Sequence, residues 1–164
     1  MSREPVRVCF VCLGNICRSP TAEGVMRWLA DRTGHADWIE IESAGTAAHH
    51  VGERADRRAR AAAARRGIAL PSRARAFEAS DFDRLDYVLA MDEENLVALD
   101  RLRRGRRFEG HLGLLRAFDP LAPEGAVVPD PYYGGPSGFE TVLDLCEAAC
   151  RGLLERLIER HGVR

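Results

Sequence analysis

Four apolar runs punctuate the 164-residue chain, and between them apolar positions recur at helical spacing. Residues 6–11, Val-Arg-Val-Cys-Phe-Val, are β-branched and aromatic, the make-up of a buried strand. Residues 21–30 then space their apolar side chains as a helix does, and Ser19 followed by Pro20 supplies a preferred N-cap and first helical residue. Gly34 ends that pattern. Residues 38–45 alternate apolar and polar, which predicts a strand half buried or at a sheet edge. A turn region, 46–52, carries His49 and His50. Residues 54–66 read as a helix dense in Ala and Arg, closed by Gly67 at its C-terminal cap. Residues 68–79 are irregular around Pro71, and 80–83 opens a short helical turn. The run 87–91 is apolar throughout, as a central strand would be. Residues 92–104 predict a capped helix with acids first and bases last, which suits the helix dipole. Residues 112–118 are the fourth strand candidate, weakened by Gly113. A loop over 119–136 holds five of the eight prolines, and one amphipathic helix spans 139–161.

Strands alternating with helices predict an α/β fold, a three-layer arrangement with a four-stranded parallel sheet flanked by helices. No linker or repeat interrupts residues 1–164, so one domain is expected, and its length buries roughly two-thirds of the unfolded surface. The Arg run in 54–66 reads as a solvated face, where no specific anion site is expected. Every one of the 24 basic residues is Arg, which excludes a Lys nucleophile or Schiff base. The net charge of −1 gives no footprint for nucleic acid or for a membrane surface, and no apolar run is long enough to span a bilayer. Five cysteines with no export signal predict reduced thiols in a cytoplasm.

The chemistry concentrates in Cys12-Leu13-Gly14-Asn15-Ile16-Cys17-Arg18-Ser19-Pro20, between the first strand and the first helix. A tight loop there turns backbone N–H groups toward one point, backed by the positive end of the helix dipole, and that geometry binds phosphate. A cysteine opens the loop and an arginine closes it. A thiol at a helix N-terminus beside a guanidinium is favoured as thiolate, the nucleophilic form. The planar fork of Arg18 can hold two phosphoryl oxygens at once. The pair describes attack of Cys12 on phosphorus, with Ser19 able to donate its hydroxyl to the sulfur. Displacing a phenolate or alkoxide also needs a proton for the leaving oxygen. Asp130, bracketed by Pro129 and Pro131 and followed by Tyr132 and Tyr133, is the preferred source, and Asp119 the competing one. The tyrosines would line an aromatic cleft.

These motifs, together with Ser43-Ala44-Gly45, Ala90-Met91-Asp92 and Asp130-Pro-Tyr-Tyr-Gly, resemble the low-molecular-weight protein-tyrosine phosphatases, in order and over nearly the whole chain. The resemblance implies metal-free hydrolysis of phosphotyrosine with no cofactor. It makes Cys12 the nucleophile that forms a cysteinyl-phosphate, Arg18 the phosphoryl-binding group, and Asp130 general acid and then general base. Leu13, Gly14, Asn15, Ile16, Cys17 and Ser19 complete the phosphate-binding loop, Ser43 supports Asn15, and Cys17 can form a disulfide with Cys12 on oxidation. His49 falls on the cleft wall, where many members carry a bulky aromatic, opposite Tyr132 and Tyr133. Ile16 stands where relatives acting on phosphoarginine carry Thr. A phosphotyrosine protein as substrate, a tyrosine kinase as counterpart, and a monomer or weak dimer complete the expectation.

Four rival readings fit the sequence less well. Arsenate reductases of this fold need two further cysteines in mid-chain, and none lies between Cys17 and Cys146. Cys146 and Cys150 read as core packing on one helical face. A redox pair of Cys9 and Cys12 fails because strand positions three apart face opposite ways. The five histidines show no metal-ligand spacing. A phosphopeptide-binding module without turnover would not need Cys12 and Asp130 together.

Overall fold

The computed structural model describes residues 4–132, 134–135 and 137–162. Strand β1 (Val6–Cys12) runs into helix α1 (Arg18–Arg32), β2 (Ile39–Gly45), α2 (Arg57–Ala64), a 3₁₀ turn (Ala79–Asp83), β3 (Tyr87–Ala90), α3 (Glu93–Arg103), β4 (His111–Leu114), a second 3₁₀ turn (Leu115–Phe118) and α4 (Ser137–His161). The sheet order is β2-β1-β3-β4 with every pairing parallel. The alternating 38–45 segment is accordingly an edge strand, and the uniformly apolar 87–91 run is central.

Helices cover both faces. Side chains alternate along β1, so Val8, Phe10 and Cys12 join α1, α2 and α4 in the larger core cluster. Cys9 and Val11 point the other way, into a second cluster with Phe77, Phe82 and Leu99 of α3. Cys9 and Cys12 therefore lie on opposite sides of the sheet. Cys146 and Cys150 are fully buried on α4, as packing residues are.

Boundaries differ from the sequence reading at the fourth strand and at α2, besides the start of α1 taken up with the site. The fourth strand stops at Leu114, and the chain tightens into a 3₁₀ turn that drives Leu115 into the core. β4 is an edge with a single neighbour, so extending it would add no second ladder, whereas the turn buries a leucine. Helix α2 starts later than 54, because the Asp56 carboxylate accepts the Arg58 amide at 2.8 Å and caps it. Arg54 is instead paired antiparallel with Arg73. Gly67, at φ 75°, does turn the chain away after α2.

Candidate active site

The segment linking β1 to α1 is a closed loop at the C-terminal ends of the strands, where open parallel sheets bind their ligands. Neighbouring backbone sets its direction. The Cys12 carbonyl accepts the Thr46 amide at 2.9 Å, the Leu13 carbonyl the Ala47 amide at 3.0 Å, and the Ile16 carbonyl the Asp56 amide at 2.7 Å. In a trans peptide the C=O and the following N–H point opposite ways. The amides of Leu13, Gly14 and Cys17 are thus turned away from those partners, toward the hollow of the loop. Asn15 completes the turn at φ 57°, the one positive φ outside glycine among the described residues.

Asn15 also anchors a directional chain of hydrogen bonds. Its Oδ1 accepts the Arg75 amide at 3.0 Å, which fixes Nδ2 as the other end of the side chain. Nδ2 donates to Ser19 Oγ at 2.7 Å and to Ser43 Oγ at 3.0 Å. Ser43 Oγ donates to Glu23 Oε1 at 2.6 Å, and Glu23 Oε2 accepts from Arg27 Nε at 2.9 Å. Ser19 Oγ, which accepts from Asn15, also lies 3.0 Å from Cys12 Sγ and 3.4 Å from the Ala44 carbonyl. Ser19 is therefore not the helix cap that its place before Pro20 suggests. Cys17 occupies the cap position without a side-chain bond, and Ser19 sits inside the first turn facing sulfur. Burial, reinforced by the charges of Asp56, Cys12 and Asp130, pushes the Cys17 thiol up to about 12.

Arg18 is buried, 3% exposed, at the loop's other end. Nη1 donates to Asp92 Oδ2 at 2.5 Å and to the Val128 carbonyl at 3.0 Å, while Nη2 lies 3.8 Å from Asp130 Oδ2. Burial disfavours the cation, but the bond to Asp92 and the charges of Cys12, Asp92 and Asp130 raise its pKa above the ordinary value. Asp130 Oδ1 accepts the Tyr132 amide at 3.0 Å, which sets the carboxyl on its Pro-flanked loop. The resulting cavity, about 320 Å³, is lined by Cys12, Ile16 and Arg18 below and by His49, Asp130 and Tyr132 at its walls. The His49 and His50 rings meet at a tilt of 52° with centroids 4.3 Å apart, and His50 Nδ1 meets Glu53 Oε2 at 3.0 Å. A Cβ on Gly14 would lie 2.9 Å from the His50 ring, so that ring would have to shift for any larger residue.

Of the residues singled out from sequence, Cys12, Leu13, Gly14, Ile16, Cys17, Arg18, His49, Asp130 and Tyr132 line this one cavity. Asn15, Ser19 and Ser43 lie behind it in the bonded chain described above. Tyr133 lies outside the described residues. Asp119 ends the second 3₁₀ turn, where its carboxylate accepts the Leu121 amide at 3.0 Å, and does not line the cavity. Three participants escaped the sequence reading. Asp92 belongs to the Ala90-Met91-Asp92 motif but reads there as no more than a helix cap, although it follows a central strand at the ligand-binding end of the sheet. Glu23 offers only its i,i+4 spacing from Ser19 and to Arg27 as a signal. Arg58, 5.3 Å from the Tyr132 ring centroid and 4.7 Å from that of Phe139, hides in the Arg run.

An amide-lined strand-to-helix loop with a cysteine at its floor and a buried arginine at its end defines a class: an α/β protein whose site takes a tetrahedral oxyanion against a thiol. Comparison with known proteins narrows it. Residues 7–162 match the model of the low molecular weight phosphotyrosine protein phosphatase family. The chain is 48% identical over 155 residues to a low molecular weight protein-tyrosine-phosphatase of Streptomyces coelicolor, covering 94% of each. With the human low molecular weight phosphotyrosine protein phosphatase it shares 40% identity over 150 residues, 91% of this chain and 94% of that one. A crystal structure of an Entamoeba histolytica protein tyrosine phosphatase, with Hepes in its active site, superposes with a TM-score of 0.88 at 38% identity, covering 94% and 97%. The chain belongs to the low molecular weight phosphotyrosine protein phosphatase family, a family of hydrolases.

Proposed function

We propose that this protein hydrolyses phosphotyrosine, and small aryl phosphates, in two steps through a cysteinyl-phosphate and without a metal. The Cys12 sulfur attacks phosphorus; an S–P bond forms as the tyrosyl O–P bond breaks, and Asp130 gives its proton to the leaving phenolate. Water then attacks the phosphocysteine with Asp130 taking its proton, and inorganic phosphate leaves with Cys12 again a thiolate. The loop amides and the Arg18 fork hold the equatorial oxygens, whose charge the transition state must place somewhere. Asp92 keeps Arg18 charged and aimed. The observation that carries this reading is that Cys12, Arg18 and Asp130, from two ends of the chain, line a single cavity.

The cavity's aromatic wall favours a phenolic ester over an alkyl one, with Tyr132 on one side and the His49–His50 pair on the other. As proposals of the same reading, the whole chain acts as one phosphatase domain in the cytoplasm, as a monomer or weak dimer, opposing a tyrosine kinase. No helix among the described residues is long and apolar enough to cross a membrane.

The test is hydrolysis of phosphotyrosine, phosphoserine and phosphoarginine peptides side by side with EDTA present. Turnover of the first alone, unaffected by the chelator, is expected. Asp130→Ala should cost roughly 10²–10⁴ in kcat. Cys12→Ser should abolish turnover while vanadate still binds. A fully active serine variant, or equal rates on phosphoserine, overturns the proposal.

A further inference from the structure

The region around α2 carries a charge far out of proportion to the chain. Residues 54–73 contain seven arginines and one acid, Asp56, a net of +6 in a protein whose formal net charge is −1. Three of those arginines are neutralised locally. Arg58 is held by Asp56, with Nη2 at 3.0 Å from Oδ2, and Arg65 and Arg66 reach across to Glu140 of α4 at 2.8 and 2.9 Å. The other four meet no carboxylate among the described residues. Two of them are nevertheless fixed, since Arg60 donates to the Ala55 carbonyl at 2.9 Å and Arg73 to the Gly52 carbonyl at 3.0 Å. Backbone, and not a carboxylate, holds these two in place.

Arg54, Arg57 and Arg60 rim a surface groove whose floor is apolar, built from Ala61, Ala64 and Leu70 among others. The chain ties the rim of this groove to the catalytic cleft at two points. His50 lines the cleft, and Arg54 lies four residues further along the same segment. The Asp56 amide is bonded to the Ile16 carbonyl of the phosphate loop, so Arg57, the first residue of α2, stands one peptide away from that loop.

We propose that this groove is a docking surface for an acidic stretch of the protein substrate, flanking the tyrosyl phosphate that enters the cleft. The inference rests on the phosphatase reading above and adds to it the kind of sequence selected. Aspartate and glutamate side chains would meet the unpaired guanidiniums while apolar neighbours cover the floor. Opposed patches of this kind raise association rate and set register more than they deepen affinity. The effect therefore belongs in KM and in salt dependence, not in the chemical step.

The test compares wild type with the double variant Arg54→Ser, Arg57→Ser, two exposed side chains outside the cavity. The substrates are para-nitrophenyl phosphate and phosphotyrosine peptides with glutamates on the N-terminal side, on the C-terminal side, or replaced by glutamine. Wild type should favour one acidic peptide over its glutamine twin by about five- to tenfold in kcat/KM, the scale of a few exposed ion pairs. The preference should fade at high salt and vanish in the variant, with para-nitrophenyl phosphate hydrolysed equally by both. Equal kcat/KM for acidic and neutral peptides in wild type, or a preference that survives in the variant, overturns the docking surface and leaves the phosphatase reading intact. If no aryl phosphate is turned over, that reading falls instead, and fluorescence anisotropy of the unphosphorylated acidic peptide still decides the groove. Binding by wild type and not by the variant supports it. Arginine-dependent binding of phosphatidylserine vesicles or poly(U), with none of the peptide, assigns the surface to another partner and sinks the proposal.

Discussion

One carboxylate of Asp92 does two jobs. Oδ1 accepts the Asn95 amide at 2.8 Å and starts α3, while Oδ2 accepts Arg18 Nη1 at 2.5 Å. Asp92→Asn keeps an oxygen for the cap but removes the charge facing a buried guanidinium; Asp92→Ala removes both. Urea unfolding should place the Ala variant about 1 kcal/mol below the Asn variant, the usual worth of an N-cap. Both should lose about 10²-fold in kcat/KM on aryl phosphate, the scale of a misplaced catalytic group. Equal stabilities would show that the cap does not depend on the side chain, and unchanged kcat/KM would free Arg18 from its dependence on Asp92. Residue by residue, the sequence spoke most clearly where chemistry is local. Cys12 and Arg18 stand in one loop, and Asp130 is framed by prolines. Asp92 and Glu23 were illegible because their meaning comes from partners on other strands and helices, brought beside them by strand order alone.

At the scale of elements, the edge strand β2 is clamped to the first 3₁₀ turn by a network of four charges. Glu42 accepts Arg75 Nη2 at 2.5 Å and both Arg84 terminal nitrogens, at 2.7 and 2.9 Å. Asp81 accepts Arg75 at 3.1 Å, Arg84 at 2.7 Å and the Glu78 amide at 2.8 Å. Burial opposes ionisation of Glu42, yet the Arg84 and Arg75 guanidiniums outweigh it and hold the carboxyl below its usual 4.5. Asp81 is held below 3.8 in the same way, against burial, by the Glu78 amide and the two arginines. Depressed native pKa values mean that the unfolded chain takes up protons first. The stabilisation is complete above the ordinary carboxylate values and drains away as pH falls through the lower native ones. Glu42→Gln should therefore be less stable at pH 7 by about 1 kcal/mol, since the pairs are part exposed. It should also lose less on acidification below the ordinary Glu value, as chemical denaturation from pH 7 to 3 would measure. Parallel pH profiles for the two proteins would remove the clamp from the stability of β2. Periodicity located every strand and helix in this region. The ends it misplaced, at α2 and after β4, are those set by a cap and by one buried leucine.

Across the whole molecule, several close approaches between elements admit only glycine, and two of them, at Gly152 and Gly45, separate scaffold from site. A Cβ on Gly152 of α4 would lie 1.8 Å from the Phe118 carbonyl oxygen, a backbone atom that cannot swing aside. A Cβ on Gly45, at the end of β2, would lie 2.7 Å from the Leu13 carbonyl oxygen of the phosphate loop. The sequence pattern shows α4 as one amphipathic helix and Gly45 as a strand end; neither period says that a second backbone comes this close, so the fold class was legible and its tightest contacts were not. Alanine is favoured over glycine inside a helix by about 1 kcal/mol. Gly152→Ala should nonetheless destabilise, by about 1–3 kcal/mol, because overpacking against a carbonyl exceeds that gain. The displaced elements, α4 and the second 3₁₀ turn, contribute no side chain to the cavity, so kcat/KM per folded molecule should stay within about twofold. Gly45→Ala pushes on the loop itself, whose Leu13 carbonyl is already held by Ala47 at 3.0 Å. It should lose activity by about 10²-fold, the cost of ångström-scale misplacement. Thermal unfolding and kcat/KM measured on both variants set the two effects apart. Equal losses of activity would mean that the scaffold behind α4 moves the loop after all, and that stability and catalysis in this fold cannot be separated at the level of its layers.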